Sequence, residues 1–356
     1  MIKITMGIGI ALLLLVLFIF TTDISLISAT FKEIDLIYIL PAVLSYLVSL
    51  WMRSFRWKYL LIINSEINTF SLFRVVCVGY MANNLLPFRI GEIIRSYYLS
   101  RKSGIPIGSG LSSILLEHLL DAMTLLFLII IAGPFVPLTE TLRDIANLFS
   151  IRYEILILVC TLPFISAMAV TILITYFHHT SRKIVSSLIS HFPHEMNIKI
   201  RNVSDDVING LMSLRSWRSN KVVISTSIPI WILEAISFHC IGLSLRLEDL
   251  FSSQFEMFAA NIFMTGITNI VASIPASPGG TGIFEFVARE TLLILTGYKV
   301  TRAVGSVFAI TLHACLMLPP IVLGQIFLLR EGLTFYKLYK SKPTNKKRST
   351  TKRPSI

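Results

Sequence analysis

Asn83-Asn84-Leu85-Leu86-Pro87-Phe88-Arg89-Ile90-Gly91-Glu92 and Pro275-Ala276-Ser277-Pro278-Gly279-Gly280-Thr281-Gly282-Ile283-Phe284-Glu285 are two polar interruptions in a chain that otherwise reads as lipid-soluble. Each places a proline four residues before a glycine (Pro87 and Gly91, Pro278 and Gly282) and a glutamate soon after. Proline and glycine break helices, and broken backbone at membrane depth survives only when it is buried in protein or lines a wet cavity. A matched pair of breaks points to a transporter-like binding site.

The rest of the composition sets the solvent. Of the 356 residues 54% are hydrophobic and only 15% charged, against roughly a quarter charged in a soluble domain. The mean hydropathy is +0.73. These values describe a polytopic membrane protein. The net charge of +12 does not indicate nucleic acid, because the basic residues cluster at the ends of apolar runs, where they set topology and meet anionic lipid. Cys77, Cys160, Cys240 and Cys315 lie far apart within apolar segments, which excludes a disulfide framework or a metal-ligand spacing. Lys3 and the apolar run 4–22 resemble a secretory leader. The run exceeds the roughly 7–15 residues of a leader core and further spans follow, so it reads as an uncleaved first helix.

Spans of about 20 apolar residues are expected at 4–22, 34–52, 107–132, 154–177, 222–245 and 303–329. Two further apolar regions, 70–87 and 257–297, contain the interruptions. Arg53, Arg56 and Lys58 on one side of the first region and Arg89, Arg95, Arg101 and Lys102 on the other put both its ends on the basic, cytoplasmic side. The first region is therefore expected to dip in and return. The second must enter and leave from outside if the basic tail is to end inside. The expected fold is thus all-α, a helix bundle of about six spans with two re-entrant helical hairpins in an inverted repeat. Its membrane domain covers 1–330, with halves 1–133 and 154–330, an inner loop 178–221 and a basic disordered cytoplasmic tail 331–356. Within the loop, 198–217 has the periodicity of an amphipathic surface helix. The competing reading makes both hairpins ordinary paired spans.

Charges inside a membrane are costly and usually paired or functional. The first hairpin offers Asn83, Asn84, Arg89, Glu92 and Arg95. The third span carries Glu117 and Asp121 on one helical face, with His118 beside them. The second hairpin offers Ser277, Gly279, Gly280, Gly282 and Glu285. Arg89 and Arg95 suit a phosphate headgroup through paired guanidinium donors, or else a salt bridge to Glu117 or Asp121. The glycines expose backbone N–H groups to an anion, or only permit a tight turn. Glu285 carries a proton, pairs with a cationic headgroup, or caps the following half-helix. His239 and His313 read as packed, hydrogen-bonded histidines. No nucleophilic triad, phosphate loop or dinucleotide fingerprint is present, and neither metal nor cofactor is expected.

At these residues the chain resembles the flippase-like integral membrane family, the transmembrane region of lysylphosphatidylglycerol synthase and its stand-alone relatives. The stretches that carry the resemblance are Asn83-Asn84-Leu85-Leu86-Pro87 with Arg89, Gly91, Glu92 and Arg95, then Glu117 and Asp121, then Pro278-Gly279-Gly280 with Gly282 and Glu285. His118 departs from it, standing where the family more often has arginine. The resemblance implies movement of a phospholipid or a lipid-linked glycan between leaflets of the cytoplasmic membrane, and the placement of lysine and arginine puts both termini on its cytoplasmic side. Its partners would be membrane lipids, anionic or phosphate-bearing, with a homo-oligomer or envelope-synthesis partners left open. A membrane-embedded enzyme or accessory protein of glycolipid or polysaccharide synthesis is the alternative.

Overall fold

The structure, a computed structural model, describes residues 24–61, 67–136, 150–189, 217–274 and 277–331, with isolated positions between 143 and 208. The expected first span 4–22, the basic tail and nearly all of the amphipathic segment 198–217 lie outside the described residues. The described residues form an all-α bundle without strands. Its helices are α1 (Ile24–Lys32), α2 (Ile39–Leu60), α3 (Thr69–Leu85), α4 (Ile90–Ser103), α5 (Ile107–Ala132), α6 (Tyr153–Tyr176), α7 (His178–Ile189), α8 (Trp217–Ser244), α9 (Gln254–Ala272), α10 (Ile283–Leu295) and α11 (Arg302–Arg330). Side-chain caps start three of them. Asn68 accepts from the Phe70 N–H, Ser253 from Glu256 and Thr301 from Val304, each satisfying a donor that the first turn leaves free.

Polarity is inverted relative to a water-soluble bundle. On α2 Leu40, Leu44, Val48 and Trp51 are exposed, while Ser45, Ser49, Arg53 and Arg56 are buried. On α6 Ile155, Leu158, Val159, Leu162 and Ile165 are all exposed. An apolar rim around a polar interior is what a hydrocarbon solvent selects. Among the described residues five helical segments are long and apolar enough to cross a membrane: Leu36–Leu60, Ile107–Phe135, Lys221–Ser244, Gln254–Ala272 and Arg302–Arg330.

Two features differ from expectation. The second span does not end near residue 52 but continues as helix to Leu60, so Arg53 and Arg56 are interior residues rather than loop flanks. The region 70–87 does not itself turn back. Thr69–Leu85 is one helix, and α4 makes the return. In the second interrupted region α9 is 19 residues long, about 28 Å at 1.5 Å per residue, so it reaches across most of a bilayer core unaided.

α2 and α8 run antiparallel at the centre, sewn together by hydroxyls. Ser45 donates to the Leu233 carbonyl (2.6 Å), Ser49 to Ile230 (3.1 Å) and Ser237 back to Ala42 (2.8 Å), the small-residue and hydroxyl contacts typical of helices in lipid. Around this pair the neighbours correspond. α3 packs on α4 as α9 does on α10, α4 on α5 as α10 on α11, and α3 on α11 as α9 on α5. A two-fold axis between α2 and α8 would generate that pattern. The end of α11 is tied to the first hairpin by Glu331, which accepts from Tyr98 and from Lys102 (2.5 Å), with Arg74 at 3.8 Å.

Candidate functional site

Pro87 ends α3 by restricting Leu86 to extended backbone (φ −117°, ψ 144°). Phe88 and Arg89 then take left-handed conformations (φ 59° and 51°) that reverse the chain into α4. The two arms are antiparallel and nearly touching, with Arg95 opposite Gly79 and Gly91 opposite Asn83. A Cβ on Gly91 would lie 2.2 Å from the Gly79 carbonyl oxygen and 2.4 Å from Asn83 Oδ1, so only glycine closes this hairpin. The second tip repeats the device with Pro278 followed by Gly279 and Gly280 at φ 61° and 76°. Ser277 donates to the Thr281 carbonyl (2.7 Å), and the Gly282 N–H donates to Glu285 Oε2 (2.7 Å), which caps α10.

The tips meet on α11. Asn84 donates to the Met317 carbonyl (3.2 Å), and a Cβ on Gly279 would stand 3.1 Å from Met317 Sδ and 3.4 Å from Asn84 Oδ1. Between the tips and the α2–α8 pair lies a cavity of about 420 Å³. Of the site residues expected from sequence, Asn83, Asn84, Arg89, Glu92, Arg95, Asp121, Ser277, Gly279 and Gly280 line it. Glu117, Gly282 and Glu285 do not; Glu117 holds Arg95 and Glu285 holds His313, both of which do, and Gly282 bonds Glu285. Tyr46, Tyr80, Trp231 and Phe284 add aromatic walls.

Beneath the cavity runs a buried chain of alternating charge. Arg95 pairs with Glu117 (2.9 Å), Glu117 with Arg56 (3.6 Å), Arg56 with Asp121 (2.7 Å), Asp121 with Arg53 (3.1 Å) and Arg53 with Glu234 (2.9 Å). Trp231 donates to Asp121 (3.1 Å) and Asn269 to Glu234 (2.9 Å). Arg95 also stacks on Trp57 at 3.8 Å and Arg53 on Trp231 at 4.3 Å. Three cations balance three anions, which is how charge survives at this depth. The chain links α4, α5, α2 and α8. Arg95 is therefore committed to the scaffold. Arg89 is different: its side chain is 34% exposed and its ion pair is a 3.3 Å contact with Glu92, which His118 also engages at 2.9 Å. Asn83 Oδ1 is buried with no hydrogen-bond partner among the described residues.

Sequence reasoning missed Arg53, Arg56, Glu234 and the use of His313. The spacing Ser45, Ser49, Arg53, Arg56 is a polar stripe on one face of an apolar helix, a signal masked by reading the arginines as a loop flank. Glu234 is a lone acid within an apolar run, itself a pointer to a buried partner. His313 bonds Glu285 Oε1 through Nδ1 (2.6 Å) and faces the Gly279 carbonyl through Nε2 (3.0 Å). It matches the Glu92–His118 contact of the first hairpin in kind and place.

Known proteins share sequence with this chain. The chain is 21% identical to a protein named glycosyltransferase AglD from Haloferax volcanii, over 94% of this chain and 55% of that protein. It therefore spans little more than half the length of that relative. UPF0104 membrane proteins of Methanocaldococcus jannaschii and Methanothermobacter thermautotrophicus are each 24% identical, the first over 57% of this chain and 75% of the relative, the second over 74% and 75%. No solved structure matches. The family profile described as the lysylphosphatidylglycerol synthase TM region matches residues 4–324, and the chain belongs to that family.

Proposed function

We propose that this protein moves a phosphate-bearing lipid headgroup between the leaflets of the cytoplasmic membrane, with the acyl chains remaining in the bilayer. The observation that carries the reading is the cavity itself: polar, aromatic-walled, roofed by two broken helical tips, inside a bundle whose outer face is apolar. Irregular backbone at such depth is tolerated where it lines a polar passage. Arg89 receives the phosphate, because its guanidinium is half-open to the cavity and its bond to Glu92 is exchangeable. Asn83, Asn84, Ser277 and the tip glycines supply neutral donors and acceptors around it. Arg95, Glu117 and Asp121 hold the walls.

The corresponding neighbours around α2 and α8 support two inverted halves, 1–133 and 154–330, and hairpins that enter from opposite faces. The charge bias then puts both termini, the connection 178–221 and the tail 331–356 on the cytoplasmic side.

A second reading, a membrane part serving envelope glycolipid or polysaccharide synthesis, is favoured by the likeness to a protein named as a glycosyltransferase over 94% of the chain. Proteoliposomes of native lipid extract separate the two. Transport changes the sidedness of one lipid class, read with a membrane-impermeant headgroup reagent. Synthesis changes the chemical identity of a lipid, read by mass spectrometry. Unchanged sidedness with verified folded protein would defeat the first reading.

A further inference from the structure

His313 has an acceptor at each ring nitrogen. Nδ1 faces Glu285 Oε1 at 2.6 Å and Nε2 faces the Gly279 carbonyl at 3.0 Å. A neutral imidazole has one donor and one acceptor, and a carbonyl oxygen donates nothing. With Glu285 ionised, both contacts form only if the ring carries two hydrogens. With Glu285 protonated at Oε1, the acid donates to Nδ1 and the single ring hydrogen sits on Nε2. Glu285 Oε2 is already occupied as the acceptor of the Gly282 N–H. Both arrangements hold one proton more than a carboxylate beside a neutral imidazole. Loss of that proton leaves two lone pairs opposed at one contact, and that contact opens.

The contact at risk holds the second hairpin tip. Gly279 is the left-handed tip residue of the second hairpin, lying against Asn84 of the first and Met317 of α11. His313 is clamped from its other side by Phe284, stacked at 4.3 Å. Among the described residues the bonds of this pair reach no third charged side chain. The titratable groups that line the same cavity from neighbouring elements are Tyr46 and Arg53 on α2, Tyr80 on α3, Arg89, Glu92 and Arg95 at the start of and along α4, His118 and Asp121 on α5, and Glu234 on α8. Arg53 and Glu234 are bonded to one another.

We infer that Glu285 and His313 form a proton-binding site that pins the second hairpin tip across the cavity, so that opening the cavity on that side is coupled to release of one proton. The inference rests on the transport reading and supplies its energy source, a transmembrane proton gradient. The proton enters from water on the acidic side, bridges the pair, and leaves to water on the other side. No bond other than O–H or N–H is made or broken. Substrate and proton share one cavity, which Arg89 and His313 both line. The negative charge of a phosphate held there favours the added proton on the Glu285–His313 pair. Proton and anion then travel together, and each strengthens the other's binding.

Purified protein in vesicles of native lipid extract, with the lumen set one pH unit above or below the medium, tests this. For one proton per lipid the steady-state leaflet ratio shifts by up to about tenfold per pH unit. It reverses when the gradient is reversed, and it is lost in His313→Gln. Wild-type movement that ignores the gradient overturns the inference and leaves transport standing. If wild type moves no lipid, the transport reading fails, and a second readout decides the proton site. Spin labels at Leu85 and Ile274, exposed residues flanking the two tips, are placed in a background without native cysteines. A separation that grows as pH rises in wild type, and not in His313→Gln, supports the proton-held tip. A separation indifferent to pH overturns it.

Discussion

Arg53→Met removes the last of the three cations of the buried charge chain. Its guanidinium bridges Asp121 (3.1 Å) and Glu234 (2.9 Å). Asp121 keeps Arg56 at 2.7 Å and the Trp231 N–H, whereas Glu234 keeps only the amide of Asn269. The mutant therefore buries one uncompensated carboxylate, a change that costs about 3–5 kcal/mol. Glu234→Gln added to it removes that charge without altering shape. The double mutant should then recover to within about 1–2 kcal/mol of wild type, since neutral replacement of a buried pair is often tolerated. The coupling between the two sites should reach at least about 2 kcal/mol, the size seen for directly paired residues. Unfolding in mixed micelles on titration with a denaturing detergent, followed by resistance to trypsin, measures all four members of the cycle. A single mutant within about 1 kcal/mol of wild type, or a double mutant as damaged as the sum of the singles, would refute the charge-balance account.

Gly91→Ala should destabilise the first hairpin by at least about 2 kcal/mol, because its Cβ would meet a backbone carbonyl at 2.2 Å. Gly104→Ala, at φ 70° with nothing within 4 Å, should cost only about 1 kcal/mol of backbone strain. Equal losses in the same unfolding assay would contradict the close-approach reading. At the end of α11, burial pushes the Glu331 carboxyl up, but hydrogen bonds from Lys102 and Tyr98 and the charges of Lys102 and Arg74 outweigh it and hold the group below its ordinary value. A depressed carboxylate stabilises the fold above its unfolded value and loses that contribution as pH falls through its folded value. Glu331→Gln should therefore lower stability by up to about 1 kcal/mol at neutral pH, the range for a partly exposed pair. The gap between variant and wild type should close on acidification below the usual carboxylate range, and a gap that widens there would contradict it.

The breaks at 83–92 and 275–285 were legible because proline and glycine act locally, within one turn of where they stand. Asn83, Asn84, Arg89, Glu92 and the tip glycines follow from those breaks without knowledge of neighbours. Arg53 and Glu234 do not: 181 residues separate them, and each becomes meaningful only when α2 and α8 are laid antiparallel. The boundary of the second span was misplaced for the same reason. A hydropathy count ends an apolar run at its first arginine, while the helix continues if distant acids neutralise that arginine. His313 was read as a packed histidine, and it is packed. What the sequence lacked was the Gly279 carbonyl on its far side, a main-chain partner set by a left-handed turn 34 residues away.

The central claim is that a lipid headgroup passes through this cavity on Arg89. Its most direct test is the rate at which a phosphate-headgroup lipid becomes accessible to an impermeant reagent in proteoliposomes holding wild type, Arg89→Ala or no protein. A guanidinium–phosphate contact contributes about 1.5–3 kcal/mol, so wild type should exceed Arg89→Ala by at least about tenfold, with the mutant folded and inserted. Equal rates in wild type and Arg89→Ala, or a wild-type rate no faster than that of protein-free vesicles, would contradict it.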